Sequence, residues 1–217
     1  MNRICVYIAA AACTLLWLPA SAFAVGQATR GGGAAFEQPV VSAPQGAFAG
    51  RSARVVGVTR PAAGRVTIET RLGSGGWSVA GTAPVDSGGS FETVWTPPKA
   101  GRYEFRFTPV GAPRAANAAA DGALSVYRLQ KATWYGPGFY GRRTACGTKL
   151  TRRTQGVAHK SLPCGTAVEL FVGGRRAVVR VIDRGPFVRG VAWDLTYATA
   201  KSLDSLRTVQ LGALPLN

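Results

Sequence analysis

Two aspartates are the strongest candidates for acid–base chemistry in this chain. Asp183 ends an apolar run in Val-Ile-Asp-Arg-Gly-Pro, where a strand is expected to meet a turn, and Asp194 lies in Ala-Trp-Asp-Leu-Thr, just before a predicted helix. A carboxyl group fixed at such a position can face a cleft and transfer protons. Structural alternatives remain open for both. Asp183 could cap the turn or pair with Arg184, and Asp194 could cap the helix or lie in its first turn.

A histidine and a group of aromatic residues are further candidates. His159 is the single histidine of the chain and lies close before Cys164. Aromatic faces stack on the C–H faces of sugars and their polar edges can hydrogen-bond hydroxyl groups, although such residues also fill cores. The aromatic residues in question are Trp134, Tyr135, Phe139 and Tyr140.

Other polar features of the same region carry less chemistry. Glu169 alternates with apolar residues and is expected on a solvent face, and Asp204 is expected on the helix surface. Residues 136–141 match G-x-G-x-x-G, but a following helix is not predicted, so we reject dinucleotide binding. We expect no cofactor and no metal.

The start of the chain predicts export. Arg3 precedes the apolar run Ile4–Leu18, Pro19 interrupts it, and Ala22-Phe23-Ala24 supplies the small residues that a signal peptidase recognises. Cleavage is expected after Ala24, or alternatively after Ala22. An uncleaved membrane anchor is the other interpretation of the run.

Cysteine usage agrees with export. Cys5 and Cys13 would leave with the signal peptide, so Cys146 and Cys164 remain as a pair in an oxidising compartment. We predict a disulfide between them that contributes about 3 kcal/mol. A metal site built from these thiolates and His159 would lack the usual closely spaced cysteine pair.

Composition limits the class of protein and its partners. The chain has 217 residues, 47% of them hydrophobic, and its 26 Lys and Arg against 10 Asp and Glu give a net charge of +16. The 28 Gly and 13 Pro residues argue against an all-helical fold. A basic, exported protein meets anionic polymers of the cell envelope rather than nucleic acid, and we expect a monomer with no integral membrane domain after cleavage.

Turn signals and apolar runs divide the chain into four parts. These are a signal peptide over 1–24, a flexible lead-in over 25–38, an immunoglobulin-like β-sandwich over 39–130 and a second strand-rich domain over 131–217. The link between the two domains, Leu129–Lys131, is short, so a fixed orientation is expected. Strands are predicted at Ala53–Thr59, Arg65–Arg71, Trp77–Ala80, Phe91–Trp95, Tyr103–Thr108, Ala123–Tyr127, Ala132–Tyr135, Ala167–Val172, Ala177–Ile182 and Thr208–Leu211.

The last domain carries most of the candidate chemistry and much of the charge. It holds 14 Lys and Arg residues against 4 acidic residues. One helix is predicted at Thr196–Leu206, with Ala198, Leu203 and Leu206 on one face.

The motifs of this domain resemble those of the rare lipoprotein A (RlpA) family of septal lytic transglycosylases, whose fold is a double-psi β-barrel related to that of expansins. The resemblance covers about 131–213. It implies an all-β chain in which the sandwich precedes a six-stranded double-psi β-barrel with one short helix. The motifs are Ala-Thr-Trp-Tyr-Gly-Pro-Gly-Phe from 132, Thr-Ala-Cys-Gly from 144, Val-Ala-His-Lys-Ser-Leu-Pro-Cys-Gly-Thr from 157, Val-Ile-Asp-Arg-Gly-Pro-Phe from 181 and Trp-Asp-Leu-Thr from 193.

The same resemblance implies a function and a set of site residues. The expected reaction cleaves the MurNAc–GlcNAc bond of peptidoglycan without water, leaving a 1,6-anhydro end. Asp183 matches the family's acid, His159 matches its histidine, and Asp194 matches an aspartate of expansins. The expected substrate-binding residues are Trp134, Tyr135, Tyr140 and Arg184.

Two further functions stay open beside this one. Thr148 and Thr151 stand where family members often carry acidic residues, which keeps a non-catalytic, expansin-like wall-binding module as the alternative. An envelope scaffold that binds a protein partner is the third. In the transglycosylase interpretation His159 is expected to be a hydrogen-bond partner, and Arg184 or Arg189 is expected to face anionic wall groups.

Overall fold

The computed structural model describes residues 41–43, 46–58, 64–112, 120 and 122–216. The predicted signal peptide, the predicted lead-in and the first residues of the predicted sandwich lie outside these ranges. The described residues belong to one unit, Phe36–Asn217.

Two sheets occupy the first half of the described chain. One has the strand order β1-β3-β6, and the other contributes the run β8-β7-β4-β5, with β2 parallel to β8. The bounds are β1 Val41–Ser42, β2 Ala47–Phe48, β3 Ala53–Val58, β4 Arg65–Leu72, β5 Ser78–Pro84, β6 Ser90–Trp95, β7 Gly101–Pro109 and β8 Gly122–Tyr135.

These two sheets share one hydrophobic core. Alternate residues of their strands point inwards, as the period of two predicts. The immunoglobulin-like assignment of this arrangement stays a prediction. The core includes Val55, Phe91 and Trp95 from the first sheet and Val66, Ile68, Phe105 and Val126 from the second.

Six strands of the second half close into a ring. Each pairs with two neighbours in the order β8-β13-β10-β11-β9-β12 and back to β8, which removes free sheet edges. The β9–β11 and β8–β12 pairs are parallel and the other four are antiparallel. The closed ring agrees with the expected six-stranded barrel. The remaining bounds are β9 Val157–Ala158, β10 Ala167–Val172, β11 Arg175–Asp183, β12 Trp193–Thr196, α1 Tyr197–Ser202 and β13 Val209–Leu216.

Strand β8 belongs to both halves. It pairs with β7 through Gly122–Val126 and with β13 through Arg128–Ala132. The predicted link Leu129–Lys131 therefore lies within one continuous strand. Beside it, the ring of Tyr127 stacks on that of Phe171 at 5.3 Å between centroids, and Phe48 packs against both.

The sequence predicts Glu169 on a solvent face, but the structure shows its side chain partly buried. Its carboxylate accepts hydrogen bonds from the Tyr127 hydroxyl at 2.7 Å and the Ser125 hydroxyl at 2.9 Å. Strand β10 carries Glu169, and both donors lie on the first part of β8. Buried and less buried residues do alternate along most of β10, but strand β8 covers the face of β10 that carries Glu169.

Helix α1 is shorter than predicted. Thr196 caps it by accepting the Thr199 backbone N–H, and Asp204, at φ 53°, takes a left-handed conformation that cannot continue the helix. The helix buries Thr199 and Ala200, and Leu203 is buried at its end, whereas Leu206 is 45% exposed. The predicted apolar face is therefore wrong at Leu206, and Asp204 follows the helix instead of lying on it.

The aromatic cluster formed by Phe48, Tyr127 and Phe171 predicts a severe cost for one added methyl group. A Cβ on Gly212 would lie 2.7 Å from the Tyr127 Cβ, whereas a Cβ on Gly81, also in a strand, would have an ordinary 3.5 Å neighbour. Gly212→Ala should lower the free energy of unfolding by about 1–3 kcal/mol, because overpacking forces the neighbours to shift. Gly81→Ala should be close to neutral. Equal urea midpoints for the two variants would contradict the close packing of the cluster.

Candidate functional site

The two aspartates lie in one row across neighbouring strands. Asp183 on β11 and Asp194 on β12 both pair with Ala158 on β9, and Asp194 also pairs with Thr133 on β8. Directly paired residues point to the same face of a sheet. The structure therefore brings the two predicted carboxyl groups together on one face, with their Cα atoms two strands, or about 10 Å, apart.

An irregularity at the end of β11 produces this alignment. Val181 pairs with Val157, and the register then shifts so that Asp183, not Ile182, pairs with Ala158. Ile182 packs over Gly156, where an added Cβ would lie 2.5 Å from the Ile182 Cδ1. A β-bulge of this kind turns the following side chain to the other face.

Backbone donors hold the Asp183 carboxylate. Its Oδ1 accepts hydrogen bonds from the backbone N–H groups of Ala145 and Arg184, each at 2.8 Å. The predicted pairing with the Arg184 side chain is absent among the described residues. The Arg184 guanidinium instead donates to the Leu162 carbonyl at 2.9 Å and to the Cys164 Sγ at 3.2 Å. The guanidinium therefore stabilises the neighbouring loop, and the expected role of Arg184 in substrate binding stays a prediction.

Asp194 sits in a different environment. It lies in strand β12, and the helix-cap position belongs to Thr196, so the capping alternative does not hold. The Thr133 hydroxyl donates to its Oδ1 at 2.7 Å. Burial raises the pKa of Asp194, the negative charge of Asp183 raises it further, and the Thr133 hydrogen bond acts in the opposite direction. Asp194 thus keeps its proton to a higher pH than an ordinary aspartate.

Tyr135 lies beside both carboxyl groups. Its hydroxyl is buried and faces Asp183 without forming a hydrogen bond of normal geometry to any described residue. Burial raises the pKa of Tyr135, and the charges of Asp183 and Asp194 raise it further. The hydroxyl therefore stays protonated, and it can donate to a group that enters between the two aspartates.

The aromatic residues divide between packing and exposure. Trp134 packs against the barrel core and contacts Tyr197 edge-to-face at 5.9 Å between centroids. Tyr140 is half-buried, with its hydroxyl against Gly136. Phe139, 51% exposed, contacts the Tyr135 ring at 6.1 Å. Of the predicted group, Phe139 offers the most accessible ring.

Phe187 is a candidate that the sequence reasoning missed. It is 82% exposed and follows Asp183 by four positions, just after the turn at Gly185-Pro186. The next residue, Val188, is 61% exposed, and adjoining exposed apolar side chains of this kind can form part of a binding surface. The place of Phe187 directly after the Asp-Arg-Gly-Pro turn was the available signal.

His159 is not brought to the carboxyl groups. Its ring packs against Trp193 at 4.4 Å between centroids, and its Nδ1 accepts the backbone N–H groups of Ser161 and Leu162. Trp193 and Asp194 are consecutive in β12 and so point to opposite faces. Burial lowers the pKa of His159, and the positive charges of Arg184 and Lys160 lower it further. A neutral imidazole that orders its loop fits these contacts.

The predicted disulfide between Cys146 and Cys164 is confirmed, with 5.7 Å between the Cα atoms. It joins two loops on either side of the β11 end. Cys146 follows Ala145, whose N–H holds Asp183, and the Cys146 N–H itself donates to the Ile182 carbonyl. The crosslink therefore stabilises the loop that fixes the carboxylate.

Two further features concern metals and membranes. Within the described ranges, no three His, Cys, Asp or Glu side chains are grouped closely enough to hold a metal ion. None of the helices in the described part of the chain has the length and apolar character needed to cross a membrane.

The raised pKa of Asp194 predicts a pH-dependent stability difference. The pKa of Asp194 is higher in the folded than in the unfolded state, so ionisation of Asp194 destabilises the fold. The free energy of unfolding therefore falls as the pH rises from the unfolded pKa through the folded pKa. Asn cannot ionise, yet its oxygen can still accept the Thr133 hydrogen bond. Asp194→Asn should therefore melt at a higher temperature than wild type at pH 7 and lose this advantage at pH 3. Asp204→Asn, at an exposed position, is the control, and a pH-independent gain at Asp194 would contradict the assignment.

Removal of the disulfide should cost stability. The double variant Cys146→Ser, Cys164→Ser should lose about 3 kcal/mol of unfolding free energy, because its unfolded chain is no longer crosslinked. Urea denaturation measures the loss, and reduced wild type should match the variant. Alkylation of unreduced wild-type protein at Cys146 or Cys164 would contradict the pairing in solution.

Comparison with known proteins agrees with this geometry. Residues 129–215 match a family described as DPBB_1, lytic transglycolase. A protein of Aquifex aeolicus named probable endolytic peptidoglycan transglycosylase RlpA is 46% identical over 78 residues, 35% of this chain and 34% of the relative. A Synechocystis protein of the same name is 41% identical over 87 residues, 38% of this chain and 27% of the relative. The chain thus spans about a third of the length of these curated relatives.

A solved structure gives a weaker match. Streptomyces papain inhibitor (SPI) is 26% identical, with a TM-score of 0.35, covering 41% of this chain and 93% of that one. The family match falls on the closed six-stranded ring that carries Asp183 and Asp194. Residues 129–215 therefore form an RlpA-like double-psi β-barrel domain.

Proposed function

We propose that this protein is exported to the cell envelope and cleaves peptidoglycan strands as a lytic transglycosylase. The observation that carries the proposal is the shared row of Asp183 and Asp194 in a domain of the lytic transglycolase family. The names of the curated relatives support the same activity. The net charge of +16 suits an envelope rich in anionic polymers.

The proposed reaction is an intramolecular substitution. The bond between C1 of MurNAc and the oxygen of GlcNAc breaks while that oxygen gains a proton. The C6 hydroxyl of the same MurNAc loses its proton and its oxygen bonds to C1, closing a 1,6-anhydro ring. One proton is given and one is taken, so water is not consumed and the two catalytic groups together return to their starting charge.

The environments of the two aspartates suit different parts of this reaction. Asp194, whose pKa burial raises, fits the donor of the proton to the leaving oxygen. Asp183, oriented by two backbone N–H groups, fits the acceptor of the hydroxyl proton. This division differs from the single acid at Asp183 that the family resemblance implies.

The aromatic residues near the pair would bind the sugars. Phe139 and Phe187 present exposed rings, and the Tyr135 hydroxyl can donate to a sugar oxygen between the carboxyl groups. Trp134 and Tyr140 would shape the protein surface next to the bound sugars. His159 would act through the loop that it orders, as a positioning residue.

The proposal predicts a loss of product when either carboxyl group is neutralised. Purified peptidoglycan incubated with residues 25–217 should release anhydro-muropeptides, detected by mass spectrometry. Asp183→Asn and Asp194→Asn should each reduce the rate by about 100-fold or more, as expected when a group for acid–base catalysis is removed. Asp204→Asn, an aspartate on the same barrel at an exposed position, should retain the wild-type rate.

Each other outcome would indicate a different function or contradict the assigned site. Products with reducing ends would mean a hydrolase on the same barrel. If wild type releases no product but still sediments with insoluble cell wall, the expansin-like binding module is supported instead. Thr148 and Thr151, which stand where family members often carry acidic residues, are the basis for that alternative. Loss of activity in Asp204→Asn alone would contradict the assigned site.

A further inference from the structure

A cleft beside helix α1 carries an excess of positive charge. It has a volume of about 590 Å³, is open to solvent and is lined by Arg152, Arg153, Tyr197, Ala198, Lys201 and Ser202. We call this group the cationic bay. Its three cations come from two separate segments, the loop before β9 and the helix, which the fold brings to one concave surface.

The charges of the bay lack an anionic partner within the described chain. Arg152, Arg153 and Lys201 are all exposed, and no salt bridge between described residues includes any of them. The Arg152 guanidinium is held over the Tyr197 ring, 5.5 Å from its centroid. Like charges that converge on a concave surface repel one another and attract an anion.

The bay adjoins the carboxyl row. Tyr197 follows Asp194 by three positions, so their Cα atoms are at most about 10 Å apart. The Tyr197 ring contacts Trp134, and the Tyr197 Cβ borders Gly136 beside the Tyr140 hydroxyl. A glycan that crosses the aspartates and extends about 10 Å towards the start of helix α1 would therefore reach the bay.

We propose that the cationic bay binds the carboxylates carried by the muramoyl residues of the strand next to the cleaved bond. This inference rests on the proposed function, which places that strand across Asp183 and Asp194. Muramoyl carboxylates occur in two forms: on the lactyl ether of a bare strand and at the ends of peptide stems. Both are oxyanions that a guanidinium can bind through paired N–H donors. The bay would then hold the strand in register relative to the catalytic pair.

The test measures binding separately from cleavage. The triple variant Arg152→Gln, Arg153→Gln, Lys201→Gln is compared with Arg175→Gln, Arg176→Gln, Arg207→Gln, which removes the same charge elsewhere on the barrel. Both are made in residues 25–217 carrying Asp183→Asn. The probes are amidase-treated glycan strands, strands with intact stems, uncharged chitin oligosaccharides and a purified teichoic acid. Melting curves confirm that both variants are folded.

The bay variant should bind at least one form of muramoyl strand about tenfold more weakly than the parent, since three exposed charge contacts each contribute a few-fold. Its affinity for chitin oligosaccharides should be unchanged, and the control triple should stay within about threefold on every probe. A deficit on amidase-treated strands identifies the lactyl carboxylate, whereas a deficit restricted to intact strands identifies the stem termini.

Three results would overturn the inference. These are equal losses in both triples, an equal loss on chitin oligosaccharides, or a deficit confined to teichoic acid, which would assign the bay to phosphate. The proposed function is judged separately, by product release from the protein with Asp183 intact. Absent products together with a carboxylate-specific deficit would remove the transglycosylase and leave the bay as part of a binding module.

Discussion

The register shift between Val181 and Asp183 is the constraint on which the site depends. A shift of one residue reverses which face a strand side chain occupies. Without it, Ile182 would pair with Ala158, and the Asp183 carboxylate would lie on the face opposite Asp194. Gly156 leaves the space into which Ile182 packs, and Ala158 keeps a small side chain between the two carboxyl groups. The proposed chemistry is therefore a consequence of packing at one strand end.

The rest of the barrel keeps that strand end in place. Backbone N–H groups of Ala145 and Arg184 fix one carboxylate, and the disulfide crosslinks the loop that supplies the first of them. Strand β8 delivers Thr133 and Tyr135 to the other side of the row. Its earlier residues Ser125 and Tyr127 are tied to the barrel through Glu169. One continuous strand thus connects the first pair of sheets to the proposed catalytic groups.

Sequence reasoning could predict the long strands and the carboxyl pair, because both leave local signals. Alternation marks β4 and β7, and β10 was predicted at its observed bounds. Strands β9 and β12 have two and four residues, too few to show a period, yet they create the row. The bulge at Ile182 has no local signal either, since it depends on the packing of this side chain over Gly156.

The side-chain contacts that the sequence could not predict are those decided by long-range packing. Arg184 follows Asp183 directly, so an ion pair was a reasonable expectation, but the carbonyl of Leu162 offers its guanidinium a better-placed acceptor. The His159 backbone N–H donates to the Asp183 carbonyl, but the His159 ring packs against Trp193. The exposure of Phe187 could not be predicted from an apolar residue type that more often fills a core.

The central claim is that the carboxyl pair cleaves the glycan by internal attack and not by water. Digestion of peptidoglycan in water enriched with oxygen-18 tests this claim directly, with mass spectrometry of the released ends. The account predicts anhydro products that contain no oxygen-18, because the C6 oxygen of the sugar itself closes the ring. Incorporation of one oxygen-18 atom at C1 of each new reducing end would show that water attacks C1, and this result would contradict the account.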